Sequence, residues 1–171
     1  MKLLASAKSS DGSSSGYSLE FTNIDQGYDD LLVKGWLRCN HAAGLVATLL
    51  QLGTSATGYS RGWKSHDGSP MSRQSDGSQR MTIESAGSGR AEWRDVFYEC
   101  RIPRYADSGN YYKNSMNLSY SAEATTYGAI EGTATVQTNN KNALTSIQIT
   151  MWGGVTMLSD SQWWLYGVKN S

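Results

Sequence analysis

Leu31-Leu32-Val33-Lys34-Gly35-Trp36-Leu37-Arg38-Cys39 decides the fold class of this 171-residue chain. Leu31, Val33, Leu37 and Cys39 fall on one side of an extended backbone, with Lys34, Trp36 and Arg38 on the other. That is the period-two pattern of a strand with one buried face. The alternation recurs on both sides of this stretch. Upstream, Tyr17, Leu19 and Phe21 alternate with Ser18, Glu20 and Thr22. Downstream, Val96, Tyr98, Cys100 and Ile102 alternate with polar neighbours until Pro103, which has no N–H to donate to a ladder, ends the run. Met81 with Ile83, Met116 to Tyr120, Ile130 to Val136, Ile147 to Met151 and the aromatic Trp163 to Val168 continue the series. Ala42 to Leu52 fits a strand or a helical stripe through Leu45, Leu49 and Leu52, and its surroundings favour the strand. From Gly53 to Arg80 the chain is polar and turn-rich, either a long surface excursion or two ragged hairpins. The expectation is an all-β, antiparallel sandwich or barrel of about eight strands with almost no helix.

Composition agrees with that reading. Ser, Thr, Gly and Asn supply 64 of the 171 residues, and such side chains compete with helical backbone bonding and favour turns. Fifteen basic and fifteen acidic side chains cancel, so no broad field draws the molecule to nucleic acid or an anionic membrane, and neither is expected as a partner. No window approaches the roughly 20 apolar residues of a spanning helix. Met1 to Ser6 opens like a secretion signal, but its apolar stretch stops short of the roughly 7–15 residues an h-region needs, so no signal is expected. Residues 1–16 read as a flexible N-terminal arm, because Ser and Gly dominate Ser9 to Gly16, and residues 17–171 as one sandwich domain. On that reading, deleting Met1 to Lys8 leaves the melting temperature nearly unchanged.

Chemistry is harder to find. The two histidines, His41 and His66, are isolated from any nucleophile or metal-ligand pattern. Cys39 and Cys100 sit on the apolar faces of their strands and read as inert core thiols. Asp25, Asp29 and Asp30 lack the alternating oxygen ligands of a calcium loop and read as a solvated turn. Gly87-Ser88-Gly89-Arg90 lacks the Lys-Ser/Thr of a phosphate loop. No catalytic residue, metal or cofactor is expected. The tryptophans need another explanation. Trp163 and Trp164 are adjacent in a strand and must face opposite sides, and Trp36 lies opposite Leu37 in the same way. The outward members read as contact residues for another subunit, which leads to an expected homotrimer.

Four stretches together resemble a jelly-roll-like β-sandwich module of tailed-bacteriophage virion proteins. They are Leu19 to Leu31, containing Phe21-Thr22-Asn23-Ile24-Asp25-Gln26-Gly27-Tyr28-Asp29-Asp30-Leu31; Ile102-Pro103-Arg104-Tyr105; Ala143-Leu144-Thr145-Ser146-Ile147-Gln148-Ile149; and Trp164-Leu165-Tyr166-Gly167-Val168. Asp25 stands where the pattern usually has Pro. The resemblance implies a non-enzymatic virion component on the capsid surface, made in the host cytoplasm and often trimeric. Because the sandwich begins within sixteen residues of Met1, a decoration protein that cements the major capsid protein is expected over the head of a fibre. Lys2, Leu3, Leu4, Trp36 and Trp164 are then the expected subunit or capsid contacts. The alternative is a receptor- or glycan-binding fibre head, with Trp63, His66, Tyr111 and Tyr112 as loop recognition groups for a host glycan.

Overall fold

The computed structural model describes residues 1–9, 18–37, 45–53, 59–64, 72–76, 81–86, 96–109, 113–123, 128–137, 141–151, 157–158 and 161–170. Among these the chain is all-β. Twelve strands follow in order: β1 (Lys2–Lys8), β2 (Ser18–Phe21), β3 (Asp30–Leu37), β4 (Leu45–Leu52), β5 (Tyr59–Lys64), β6 (Ser72–Asp76), β7 (Met81–Ala86), β8 (Val96–Pro103), β9 (Asn114–Glu123), β10 (Gly128–Gln137), β11 (Ile147–Met151) and β12 (Gln162–Val168). They form an eight-stranded sheet ordered β1-β12-β3-β8-β9-β10-β5-β6 and a four-stranded sheet ordered β2-β11-β4-β7. Every pairing is antiparallel. No helix of the described residues is long and apolar enough to cross a membrane.

The decisive stretch forms β3, flanked by β12 and β8. Its burial alternates as the sequence requires, with Leu31, Val33 and Leu37 fully enclosed. Tyr98, Cys100 and Ile102 of β8 and Trp163 and Leu165 of β12 join them from the same face, and Phe21, Leu52, Ile147 and Ile149 join from the four-stranded sheet. These residues form one hydrophobic cluster. Each fully buried Leu, Ile or Val in it stabilises the fold by about 1.5–3 kcal/mol relative to exposure. Gly35 holds the one inward position of β3 without a side chain. It lies in register between Trp163 of β12 and Tyr98 of β8, and its bare Cα lets the Trp163 ring cross β3 and stack on Tyr98 at 5.4 Å and 20°.

Three expectations change. Residues 2–8 are not a free arm: they form β1, the edge of the large sheet, in register with β12 from Lys2 opposite Gly167 to Lys8 opposite Gln162. A bulge between Leu3 and Ala5 re-phases the strand, so that Leu4, Ala5 and Ala7 all pack against the core. The bulge breaks the simple alternation on which strand recognition depends, and lysines near both ends suit an edge that must not pair further. Ser9, read as the start of a linker, is buried; its N–H donates to Ser161 O at 3.0 Å and its Oγ to Met157 O at 3.1 Å. The expected flexible stretch 10–16 lies outside the described residues. The strand count rises from about eight to twelve among the described residues, because β1 was missed and the polar stretch after Gly53 contributes the hairpin β5–β6. Ala42 to Leu52, for which the surroundings favour a strand over a helix, carries the strand β4 as expected.

Candidate functional site

Sequence reasoning treated Asp25, Asp29 and Asp30 as one solvated turn, and the structure separates them. Asp30 opens β3, where its carboxylate is buried. Its Oδ2 accepts from Arg101 Nε at 3.0 Å, Arg101 Nη2 at 2.5 Å and Asn170 Nδ2 at 3.1 Å, while Oδ1 accepts from the Arg104 N–H at 3.1 Å. Burial alone would raise the Asp30 pKa. Bonds from Arg101, Asn170 and the Arg104 amide, with the Arg101 charge, outweigh it and hold the carboxyl below its ordinary value. Asp29 is half-buried and accepts the Asn170 N–H at 2.6 Å, while its own N–H donates to Val168 O at 2.9 Å. Asp25 is exposed, and its Oδ1 accepts the Gly27 N–H at 2.9 Å. That local turn bond supplies by hydrogen bonding what a proline ring would supply covalently.

The same end of the molecule gathers the other segments. Ile24 N–H donates to Thr145 O at 3.1 Å, and Leu144 N–H to Tyr105 O at 2.9 Å. Gln26 Nε2 donates to both Ile24 O and Leu144 O, at 2.6 and 3.0 Å. The Tyr105 hydroxyl donates to Asp25 O, and its ring is fully buried; burial pushes its pKa up. Lys113, also buried, donates from Nζ to Arg104 O at 3.1 Å and to Asp107 O. Desolvation pulls its pKa down, and the carbonyls take the place of water around the ammonium. Arg104 adopts φ 51°, a left-handed conformation that turns the chain sharply after β8 so that its N–H reaches Asp30. These groups position backbone, and their polar atoms point at one another.

A second arrangement lies on the outer face of the large sheet, away from the core. Residues opposite one another on antiparallel strands share a face, so the register gives three rows. One runs Leu3, Tyr166, Leu32, Arg101, Met116; the next Ser6, Trp164, Lys34, Glu99; the third Lys8, Gln162, Trp36, Phe97. Met116 is 62% exposed, Leu3 50% and Trp36 46%. Trp36 meets Phe97 edge to face at 5.3 Å and 64°. At the centre, Lys34 Nζ and Glu99 Oε2 form an ion pair at 2.9 Å.

Of the expected contact residues, Leu3, Trp36 and Trp164 meet on this outer face, and Lys2 is exposed near its rim. Leu4 does not belong with them, because the β1 bulge turns it onto the core. Trp163 and Trp164 divide as adjacency requires, the first buried and the second half-buried outside. Trp63 lies in β5, and His66, Tyr111, Tyr112, His41 and Cys39 lie outside the described residues. Cys100 is a free, buried thiol whose pKa burial pushes far up, beyond what its bond with Ser115 offsets. Among the described residues no three His, Cys, Asp or Glu side chains are grouped to hold a metal ion. Arg101 and Lys113 were not singled out from sequence, Tyr105 entered only within the resemblance, and Asp30 only as part of a solvated turn. The spacing Asp29-Asp30-Leu31 at a strand start was the available signal. Comparison with protein-family models, curated proteins and solved structures found no match for the chain.

Proposed function

We propose that this chain is a non-enzymatic virion protein of a tailed bacteriophage, a decoration protein that cements the assembled capsid, folded as a jelly-roll-like β-sandwich. One observation carries the reading. The four stretches behind the resemblance are separated by up to about 140 residues, yet they interlock at one end of the fold. Ile24 and Gln26 bond to Leu144 and Thr145, Tyr105 bonds to Asp25 and Leu144, and Asp29 and Asp30 bond to Val168, Arg101 and Arg104. Their meeting supports a shared architecture, and the decoration role is what the resemblance implies for it. The strand order supports the fold in the same sense. With β5, β6, β9 and β10 set aside, the remaining eight strands lie as β1-β12-β3-β8 and β2-β11-β4-β7. First pairs with last, second with next to last, and inward to β4 with β7, the nested wrapping of a jelly roll.

In this reading the protein acts mechanically. Each copy buries surface against several subunits of the major capsid protein, which lowers the free energy of the intact shell relative to the burst state by mass action. Attachment at more than one point adds avidity without a tight single contact. The test is the copy number in purified virions, measured against the major capsid protein by quantitative mass spectrometry. A decoration protein is present in numbers comparable to the capsid protein and, added to shells that lack it, raises the temperature at which they burst. A few copies per particle, with no effect on bursting, would overturn the reading in favour of a glycan-binding fibre head.

A further inference from the structure

The outer face of the large sheet carries its own complement. Lys34 on β3 and Glu99 on β8 sit side by side at its centre. A two-fold axis parallel to the strands and midway between β3 and β8 would lay β3 of one copy over β8 of a second without changing the row. Lys34 of each copy then faces Glu99 of the other, so the two ion pairs close into a ring of four alternating charges. Trp36 falls over Phe97 in one outer row, and Tyr166 over Met116 in the other. Leu32 meets Arg101, whose guanidinium is already taken by Asp30, so its stem is the surface offered. We propose that this face is a two-fold self-association surface whose occupant is the same face of a second copy of this chain, a pairing that does not rest on the virion reading.

Charge order favours a second copy, and the area sets how strongly it binds. A foreign partner would need an anion and a cation placed in mirror order, whereas an identical face supplies them by symmetry, as isologous interfaces do. Under this axis β12, β3, β8 and β9 lie over their counterparts, and four strands spaced about 4.8 Å with three rows about 7 Å apart give a patch of about 19 by 20 Å. Its burial on two copies removes about 800 Å² in total, the scale of a weak, reversible interface. Aromatics concentrate in it as they do in interface cores. Face-to-face sheets pack about 10 Å apart, which fits side chains of Trp and Phe size between them.

The geometry fixes an experiment that a merely structural ion pair cannot mimic. Lys34→Glu makes the centre of the face wholly acidic and Glu99→Lys makes it wholly basic, so each variant alone repels itself. Mixed in equal amounts, they restore every cross-copy contact of the wild type, because acidic centres meet basic ones. Expected by sedimentation equilibrium are a wild-type dimer of two 18.7 kDa chains, association weakened at least tenfold for each variant alone, and dimer recovered in the mixture. An intrachain role for the pair predicts no recovery on mixing. Trp36→Ser supplies an independent reading if either charge variant fails to fold, and it is expected to weaken association tenfold or more. A wild type that stays monomeric to several hundred micromolar, one that forms the expected trimer, a mixture that stays monomeric, or a Trp36→Ser protein that associates unchanged would each overturn the proposal.

Discussion

Gly35→Ala tests the packing of the core most directly. A methyl carbon at residue 35 would lie 2.2 Å from Cε3 and 2.3 Å from Cδ2 of Trp163, far inside the carbon–carbon contact of about 3.5–4.0 Å. Trp163 cannot withdraw: it is 2% exposed and stacked on Tyr98. Either β3 and β12 part locally, or the indole leaves the core. Overpacking of this kind costs about 1–3 kcal/mol, and losing the burial of a large aromatic costs about 3 kcal/mol. We expect a loss of about 3 kcal/mol, which in a chain of this size lowers Tm by about 6–12 °C. Gly167→Ala is the control, since its methyl would lie 2.4 Å from Tyr28 Cγ. Tyr28 is half-buried in an irregular segment and can swing toward solvent, so the expected loss is about 1–2 kcal/mol or 2–8 °C. Thermal unfolding followed by circular dichroism measures both. Combining Gly35→Ala with Trp163→Leu removes the collision, so the double variant should be at least about 1 kcal/mol more stable than the sum of the singles. Equal shifts for the two glycine variants, or strict additivity in the double, would refute the claim that Trp163 requires the bare Cα.

Asp30→Asn leaves Arg101 and the Arg104 amide without an ionised acceptor and should lower stability by about 2–3 kcal/mol in urea unfolding. Because the folded Asp30 carboxyl is held below its ordinary value of 3.8, its contribution is full above that value and is lost as pH falls through the lower folded pKa. The gap between wild type and Asp30→Asn should therefore close on acidification, and a pH-independent gap would contradict the assignment. Cys100, buried and with its thiol pKa raised, should resist iodoacetamide in the native protein and react after denaturation; rapid native labelling mapped to Cys100 would refute its enclosure. Deleting Met1 to Lys8 removes the packing of Leu4, Ala5 and Ala7 on the core and should cost about 2 kcal/mol, or 4–8 °C in Tm. An unchanged Tm would return residues 2–8 to the status of a free arm.

Residues that obey one simple period were legible, and those governed by contacts across the chain were not. β3, β8, β11 and β12 stood out because Leu31 to Leu37, Tyr98 to Ile102, Ile147 to Ile149 and Trp163 to Leu165 each present one apolar face to the same core. β1 was hidden by its bulge and by its dependence on β12, 154 or more residues away in register. No local pattern encodes such a partner. Asp30 illustrates the same limit at the level of chemistry: an acidic triplet looks solvated until Arg101, 71 residues later, is brought beside it. The outward tryptophans were legible for a different reason. Adjacency in a strand divides Trp163 from Trp164 without any knowledge of the fold.

The interlocked end and the outer face answer to different constraints, and this bears on what a resemblance can transmit. Asp30, Tyr105, Gln26 and Lys113 spend their polar atoms on backbone and on one another. Changing one strands a buried donor or acceptor at about 1–3 kcal/mol, a cost set by the fold and independent of what the protein binds. Lys34, Glu99, Trp36 and Met116 stand on a face where substitution leaves the core intact, so a change of partner can rewrite them at little cost in stability. Likeness in the first group therefore speaks for shared architecture, and the partner has to be sought in the second. For that reason the mixing of Lys34→Glu with Glu99→Lys and the copy number in virions are independent tests: either can fail while the other stands.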